Sequence, residues 1–283
     1  MKKILFLYIF LISFSQAQTF VYSNSLGIFD KAASFYIAAN GFIYITDTDE
    51  DEIMMMDSSG NVIKTYGGYG WDENSFDDPF DVFADPLTVY IADKNNHRIK
   101  KFDKNLNFIS SLYTRESDIS EERFGYPLSC ATSNQGDLFI VDSENERIIK
   151  FDIFGKFKLN FGGMDAGNFM LNDPTQLAIS SLNNVYVIDG ENIVVFDQYG
   201  NGISRIQFKQ KLNSIRILFD LMIITTDNEI FFNDLRNDDS KPSTIALIGI
   251  DEVPKIISAI VFNNKLYVLT KNTILAFNKV IKN

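Results

Sequence analysis

Six times along the 283 residues a short apolar run ends in Asp or Thr, and a second apolar run that begins with Ile follows within a few residues. The first runs are FIYITD (42–47), TVYIAD (88–93), DLFIVD (137–142), NVYVID (184–189), LMIITT (221–226) and KLYVLT (265–270); the second begin at Ile53, Ile99, Ile148, Ile193, Ile230 and Ile274. A unit that recurs every roughly 40–50 residues and carries strands but no helix predicts a radial array of small sheets.

Each unit resolves into four strands, a to d. In the third these are PLSCATS (127–133), DLFIVD, RIIKFD (147–152) and FKLNFG (157–162). The other d strands are read at NVIKTYG (61–67), FISSLY (108–113), ISRIQF (203–208) and STIALIG (243–249). Asn40-Gly41 and Gln135-Gly136 join a to b, where glycine accepts the positive φ of a tight hairpin. Asp57 to Gly60, Asp152 to Gly155 and Asp197 to Gly200 join c to d, with Asp and Gly at opposite ends as a type I turn prefers. The second unit has Asp103-Lys-Asn105-Leu106 there, so Asn105 is expected in the left-handed position. Several b strands are apolar on both faces, as a sheet sandwiched between two others requires. The expected fold is all-β: a six-bladed β-propeller of four-stranded antiparallel blades. The sixth unit has too few residues for its own d strand, while TFVYSN (19–24) is an orphan strand. Phe20, Val21 and Tyr22 are therefore expected to pair near Ile274–Phe277 and close the last blade, which removes an open edge.

The first 17 residues read differently. Lys2 and Lys3 precede an apolar stretch from Ile4 to Phe14, and Ser15-Gln16-Ala17 has a small-x-small pattern. This is the layout of a secretory signal peptide, so residues 1–17 are excluded from the fold and 18–283 assigned to the propeller. No stretch reaches the ~18 apolar residues of a membrane span, and no Cys follows the cleavage pattern to carry a lipid. A secreted or periplasmic protein is expected. Without Lys2 and Lys3 the chain has 24 basic and 37 acidic residues, which excludes nucleic acid as a partner, since phosphate binding needs clustered Lys and Arg. Cys130 is the one cysteine, so no intrachain disulfide staples the ring.

The units resemble the NHL family of β-propellers. The resemblance rests on Pro79 with TVYIAD-KNNHRIKKFD (88–103), on FGYP (124–127) with DLFIVD-SENERIIKFD (137–152), and more weakly on Asp173-Pro174 with NVYVID and NIVVFD (192–197). It covers about 250 residues. Blade one lacks the Arg before Ile53, and blades five and six carry Thr226 and Thr270 in place of the Asp. The resemblance implies a propeller but no particular activity. NHL-like amidating lyases use a zinc site with several histidines, and His97 is the only one here; in the resemblance it is a repeat feature of the NHRI segment.

Asp47, Asp93, Asp142 and Asp189 end b strands and are expected to cap the amides of the following b–c turn, a role Thr also fills. Arg98 and Arg147, five residues on, are expected to pair across that turn. The run DTDEDE (47–52) has Glu52 where a calcium loop has Gly and Ser58 where it has a bidentate Glu, so it is no EF-hand. No cofactor is expected beyond loosely bound calcium at that rim. Propeller lactonases hold a divalent ion at the channel mouth; Asp81, Asn213 and Asn263 are the candidates for such a site, though their spacing does not favour one.

The d–a loops GGYGWDENSFDDP (67–79), TRESDISEERFGYP (114–127) and GGMDAGNFMLNDP (162–174) are long and share a face with the b–c loops. Phe76, Phe124 and Leu171, each three residues before Pro, are expected to plug the blade junctions. Tyr69, Trp71, Met164 and Phe169 have no such place, and Trp71 is either a loop anchor or a binding hot spot. With Glu50, Asp72 and Glu73 these form a candidate aromatic and acidic surface for a basic protein or a glycan. A monomeric binding module is expected; the alternative is a metal-dependent hydrolase or lyase in the central channel, and a third possibility is a purely structural envelope component.

Overall fold

The computed structural model describes residues 18–237 and 240–280. The signal-peptide reading of residues 1–17 lies outside them. The chain opens with β1 (Thr19–Leu26). Blade one is β2 (Ala32–Ile37), β3 (Ile43–Asp47), β4 (Glu52–Met56) and β5 (Val62–Gly67); blade two is β6 (Pro79–Ala84), β7 (Thr88–Asp93), β8 (Arg98–Asp103) and β9 (Phe108–Leu112). Blade three is β10 (Pro127–Thr132), β11 (Leu138–Asp142), β12 (Arg147–Phe151) and β13 (Phe157–Phe161); blade four is β14 (Pro174–Ile179), β15 (Val185–Asp189), β16 (Asn192–Phe196) and β17 (Gly202–Gln207). Blade five is β18 (Ser214–Leu218), β19 (Leu221–Thr225), β20 (Ile230–Asp234) and the two-residue β21 (Ser243–Thr244); then come β22 (Ala246–Ile248), β23 (Ser258–Phe262), β24 (Lys265–Leu269) and β25 (Ile274–Lys279). Within each blade consecutive strands are antiparallel neighbours. The molecule is a six-bladed β-propeller.

The b strands are buried on both faces, as their uniformly apolar sequences require: Ile43 to Asp47 and Leu138 to Asp142 are buried throughout. The large side chains fill the space between blades rather than a single centre, with Phe76, Phe102, Phe139, Phe151 and Phe196 all fully buried. Phe76, Phe124 and Leu171 are the expected junction plugs.

The orphan strand closes the ring. β1 runs antiparallel to β25 with Phe20 opposite Lys279, Val21 opposite Asn278 and Tyr22 opposite Phe277. Two details differ from the sequence reading. The segment 243–249 is two strands, because the chain changes sheets at Ile245: its N–H donates to the Ile230 carbonyl in blade five (2.8 Å), and the next N–H, of Ala246, donates to Gln18 (2.9 Å). β22 then lies parallel to β1 and makes blade six a five-stranded sheet. In the c–d turn of blade two the left-handed residue is Leu106 (φ 55°), not Asn105. The Asp103 carboxylate accepts from the N–H groups of Asn105 and Asn107, which fixes the register, and burial of the Leu106 side chain offsets the strain.

Candidate functional site

The backbone N–H groups held by the carboxylates that end the b strands belong chiefly to the incoming d–a loop, while in blades two and three the turn that follows is held through the side chains of Asn96 and Asn145. Asp47 accepts from the N–H groups of Asp30 (2.9 Å) and Lys31, Asp93 from Asp77 (2.9 Å), Asp142 from Gly125 (3.1 Å) and Asp189 from Asn172 and Asp173 (both 2.8 Å). Among the four, Asp47 alone also accepts from a backbone N–H of its own turn, that of Asp49. The shorter Thr226 and Thr270 do what was expected of all six and accept from Glu229 (3.0 Å) and Thr273 (3.2 Å) within the b–c turn. Arg98 and Arg147 pair with Asp93 (2.6 Å) and Asp142 (2.9 Å) as expected. These acidic residues are structural, and they hold the loop face in place.

The loop between β5 and β6 is the most constrained segment of that face. Gly67 takes φ 132° with its α-carbon against the Asp51 carbonyl, where any Cβ would collide at 2.6 Å. The chain then folds back on itself, with the Phe76 N–H donating to Gly68 and the Gly70 N–H to Phe76 (both 2.9 Å). Asp72 accepts from the Asn74 N–H (2.8 Å) and the Ser75 hydroxyl (2.6 Å), which hold its carboxyl below the usual range. Side chains from the blades pin the loop carbonyls. Arg98 donates to Trp71 (2.8 Å), Asp72 and Ser75, Asn96 to Gly70 (2.9 Å), and Tyr66 to Glu73. Lys100 donates to Glu73 (2.6 Å) and Ser75 (2.9 Å).

Lys100 is fully buried, with its ammonium 4.2 Å from the Phe76 ring centre and 5.3–5.6 Å from those of Tyr66, Phe108 and Phe102. Burial pushes it down to about 8, although the rings and the two carbonyls favour the charged form.

This scaffold leaves two large aromatic side chains in solvent: Trp71 is 74% and Tyr69 68% exposed, edge to face at 6.3 Å. Trp71 forms one wall of a 370 Å³ groove whose other walls include Asn95, His97, Arg98 and Tyr113. Asp72 and Glu73 lie exposed on the same loop, and Glu50 is exposed on the b–c turn of blade one. Met164 and Phe169 belong to a different loop, between blades three and four. Met164 is 95% exposed; Phe169 is half-buried against Phe196 and fills the space beside Gly202. Phe169 is therefore an anchor. Tyr113 was missed by sequence reasoning because it reads as the end of an ordinary d strand, whereas β9 stops at Leu112 and leaves Tyr113 exposed just beyond it.

His97 sits at the edge of the groove with φ 53°. Its Nδ1 accepts from the Tyr126 N–H (3.0 Å), and burial together with the neighbouring Arg115 pushes its pKa down. Arg115 is itself paired with Glu144 (2.9 Å).

On the propeller axis each inner strand contributes one polar side chain at an equivalent register: Ser34, Asp81, Ser129, Gln176, Ser214 and Ser258. Asp81 is the hub. It accepts from Ser34 (2.6 Å), Ser129 (2.6 Å), Gln176 (3.2 Å) and Arg216 (2.7 Å). Ser34, Ser129 and Gln176 in turn accept from backbone N–H groups of the next blade, at Val82, Leu177 and Ile215. The network ties neighbouring blades together.

The three candidate metal ligands do not converge. The Asp81 carboxylate is engaged in that network, Asn213 donates to Asp227 and to the Ile256 carbonyl near the loop face, and Asn263 stands exposed in an a–b turn on the opposite face. In the acidic run, Asp47 holds loop amides, Asp49 pairs with Lys31 (3.2 Å) and Asp51 accepts from the Asp78 N–H (2.8 Å). Among the described residues no group of three or more His, Cys, Asp and Glu is placed to hold a metal ion, and no helix is long and apolar enough to cross a membrane.

No family model matches the chain. Protein brain tumor of Drosophila melanogaster is 27% identical over 141 residues, which is 48% of this chain and 13% of that protein. Among solved structures, streptogramin B lyase superposes over 92% of this chain and 94% of its own with a TM-score of 0.57 and 13% identity. Virginiamycin B lyase from Staphylococcus aureus with quinupristin covers 93% of this chain and 99% of its own at 0.60 and 10%. A chain of a nidogen/laminin complex covers 77% and 81% at 0.61 and 14%. These likenesses are of fold.

Proposed function

We propose that this propeller is an exported, NHL-type interaction module that works as a monomer without a cofactor and recognises a protein or glycan partner on the loop face of blades one and two. The observation that carries the reading is the exposed Tyr69–Trp71 pair on a loop whose backbone is pinned by Arg98, Lys100, Asn96 and Tyr66. Large aromatic side chains on a fixed backbone bury much area at little conformational cost, which is what interface hot spots need. Asp72, Glu73 and Glu50 beside them favour a partner with basic groups or with the hydroxyl-rich faces of a sugar. A nidogen/laminin complex among the similar structures lends support to a protein partner.

The test is capture from an envelope extract by the wild type and by Trp71→Ala. A hot-spot truncation costs about 2 kcal/mol, so the species retained by the wild type is expected to fall about thirtyfold, with the melting curve unchanged. Equal capture by both proteins removes Trp71 from the binding surface and the reading with it.

A further inference from the structure

The opposite end of the axis, where the a–b turns gather, opens into a cavity of about 530 Å³. Its origin lies one step further along the inner strands. Two residues beyond the polar tier stand Tyr36, Phe83, Ala131, Ala178, Arg216 and Ile260, one from each blade. Blades one and two thus present aromatic rings, Tyr36 and Phe83, packed edge to face at 5.1 Å, while blades three and four present only methyl groups. The space that two large side chains would have filled is the cavity. Leu177 and Ile217 extend its apolar wall.

One lining residue is different in kind. Arg216 is 4% exposed, and its Nη2 donates to Ser34 (2.6 Å) and Asp81 (2.7 Å). Its Nε is buried without a hydrogen-bond partner among the described residues, whereas Nη1, which also has none there, is not sealed off in the same way. A guanidinium N–H held away from water without an acceptor is costly, and natural proteins keep few of them. Asp81 neutralises this lone cation of the lining, and Asp85 and Asp220 add negative charge at the mouth. An anion is therefore repelled by the rim, and a cationic group, although the rim would attract it, has no lone pair to accept from the guanidinium N–H. A neutral molecule with an apolar body and one oxygen acceptor meets neither objection, and a cavity of this size lies within the roughly 300–1,000 Å³ of small-molecule sites.

We infer that the a–b mouth of the channel binds a neutral, largely apolar small molecule whose carbonyl oxygen accepts a hydrogen bond from Arg216. This site is at the other end of the axis from Trp71 and does not depend on the loop-face reading.

Equilibrium fluorescence titration of the full chain tests it, with Nile red as a neutral polycyclic probe bearing one ring carbonyl and anilinonaphthalene sulfonate as an aromatic probe bearing a negative charge. Nile red is expected to bind one saturable site per chain, about tenfold more tightly than the sulfonate. Ile179→Trp, which fills the cavity from a half-buried wall position, is expected to weaken Nile red about tenfold, and Trp71→Ala to leave it unchanged. If Ile179→Trp fails to fold, Leu218→Trp at the mouth replaces it. No saturable binding, equal or tighter binding of the sulfonate, full retention by the cavity-filling variant, or loss in Trp71→Ala each overturns the inference.

Discussion

Lys100 shows how one residue decides the geometry of a loop it does not belong to. It stands where the equivalent c-strand positions of blades one, three and four carry Met54, Ile149 and Val194, all buried. Its ammonium spans the blade junction to the Glu73 and Ser75 carbonyls. The sign of its pH dependence follows from a folded pKa of about 8 against an ordinary value near 10.5. Between those values the unfolded chain holds the proton and the folded chain releases it, so this residue's contribution to stability rises with pH. Relative to Lys100→Met, the wild type is expected to gain about 2 kcal/mol between pH 7.5 and 9.5, read from paired denaturant melts. A constant difference across that range rejects the depressed pKa. Asp81 makes a second residue-level case. Asp81→Ala leaves Arg216 buried without its counter-charge, a loss of about 3–5 kcal/mol in the same measurement; a loss under about 1 kcal/mol shows that the axial network is not what joins the blades. Neither role was legible in the sequence. Lys100 and Lys101 look alike in RIKKFD, and only the strand register turns one inward and leaves the other half-buried over Tyr90.

Among the elements, β1 carries the greatest responsibility for its length. Phe20 is fully buried, and the strand holds β25 on one side and β22 on the other. Loss of one large buried aromatic side chain costs about 3–5 kcal/mol, and a domain of this size moves by about 2–4 °C per kcal/mol. Removal of residues 18–24 is therefore expected to lower the melting temperature by at least about 10 °C; an unchanged melt shows that the ring closes without β1. The pairing of β1 was legible because a strand count left one blade short and one strand over. The step of β22 into the same sheet was not. STIALIG reads as one continuous apolar strand, and nothing local to Ile245 marks the change of partner from β20 to β1. The loop anchors divide in the same way. Phe76, Phe124 and Leu171 were legible from their shared distance to Pro, whereas Phe169 depends on the bare backbone of Gly202 in another strand.

At the scale of the molecule the repeat made the fold readable and concealed the sites. Six copies of one pattern specify six similar sheets, but a binding surface arises where copies differ. Ala131 and Ala178 are unremarkable in PLSCATS and PTQLAIS; they become a cavity only when six inner strands are laid side by side. The Tyr69–Trp71 loop was identifiable because its length breaks the repeat. The two faces share a single ring whose blades are tied by the axial network and by β1, and this predicts one cooperative unfolding step. Trp71 is the only tryptophan, so its fluorescence reports one loop and far-ultraviolet circular dichroism reports all the strands. Their midpoints in urea are expected to coincide, and separated transitions show that the blades melt independently.

The way the ring closes also orders events in time. The Thr273 hydroxyl donates to the carbonyl of Leu26, 247 residues away, and both partners of β1, β22 and β25, are synthesised long after it. At about 5–20 residues per second, β1 waits on the order of ten seconds to a minute before either neighbour exists. Throughout that interval β1 has neither of the two strands it pairs with. The last blade thus depends on an edge that stays open through most of its own chain's synthesis, the state in which an unpaired strand is most prone to pair with a neighbouring molecule.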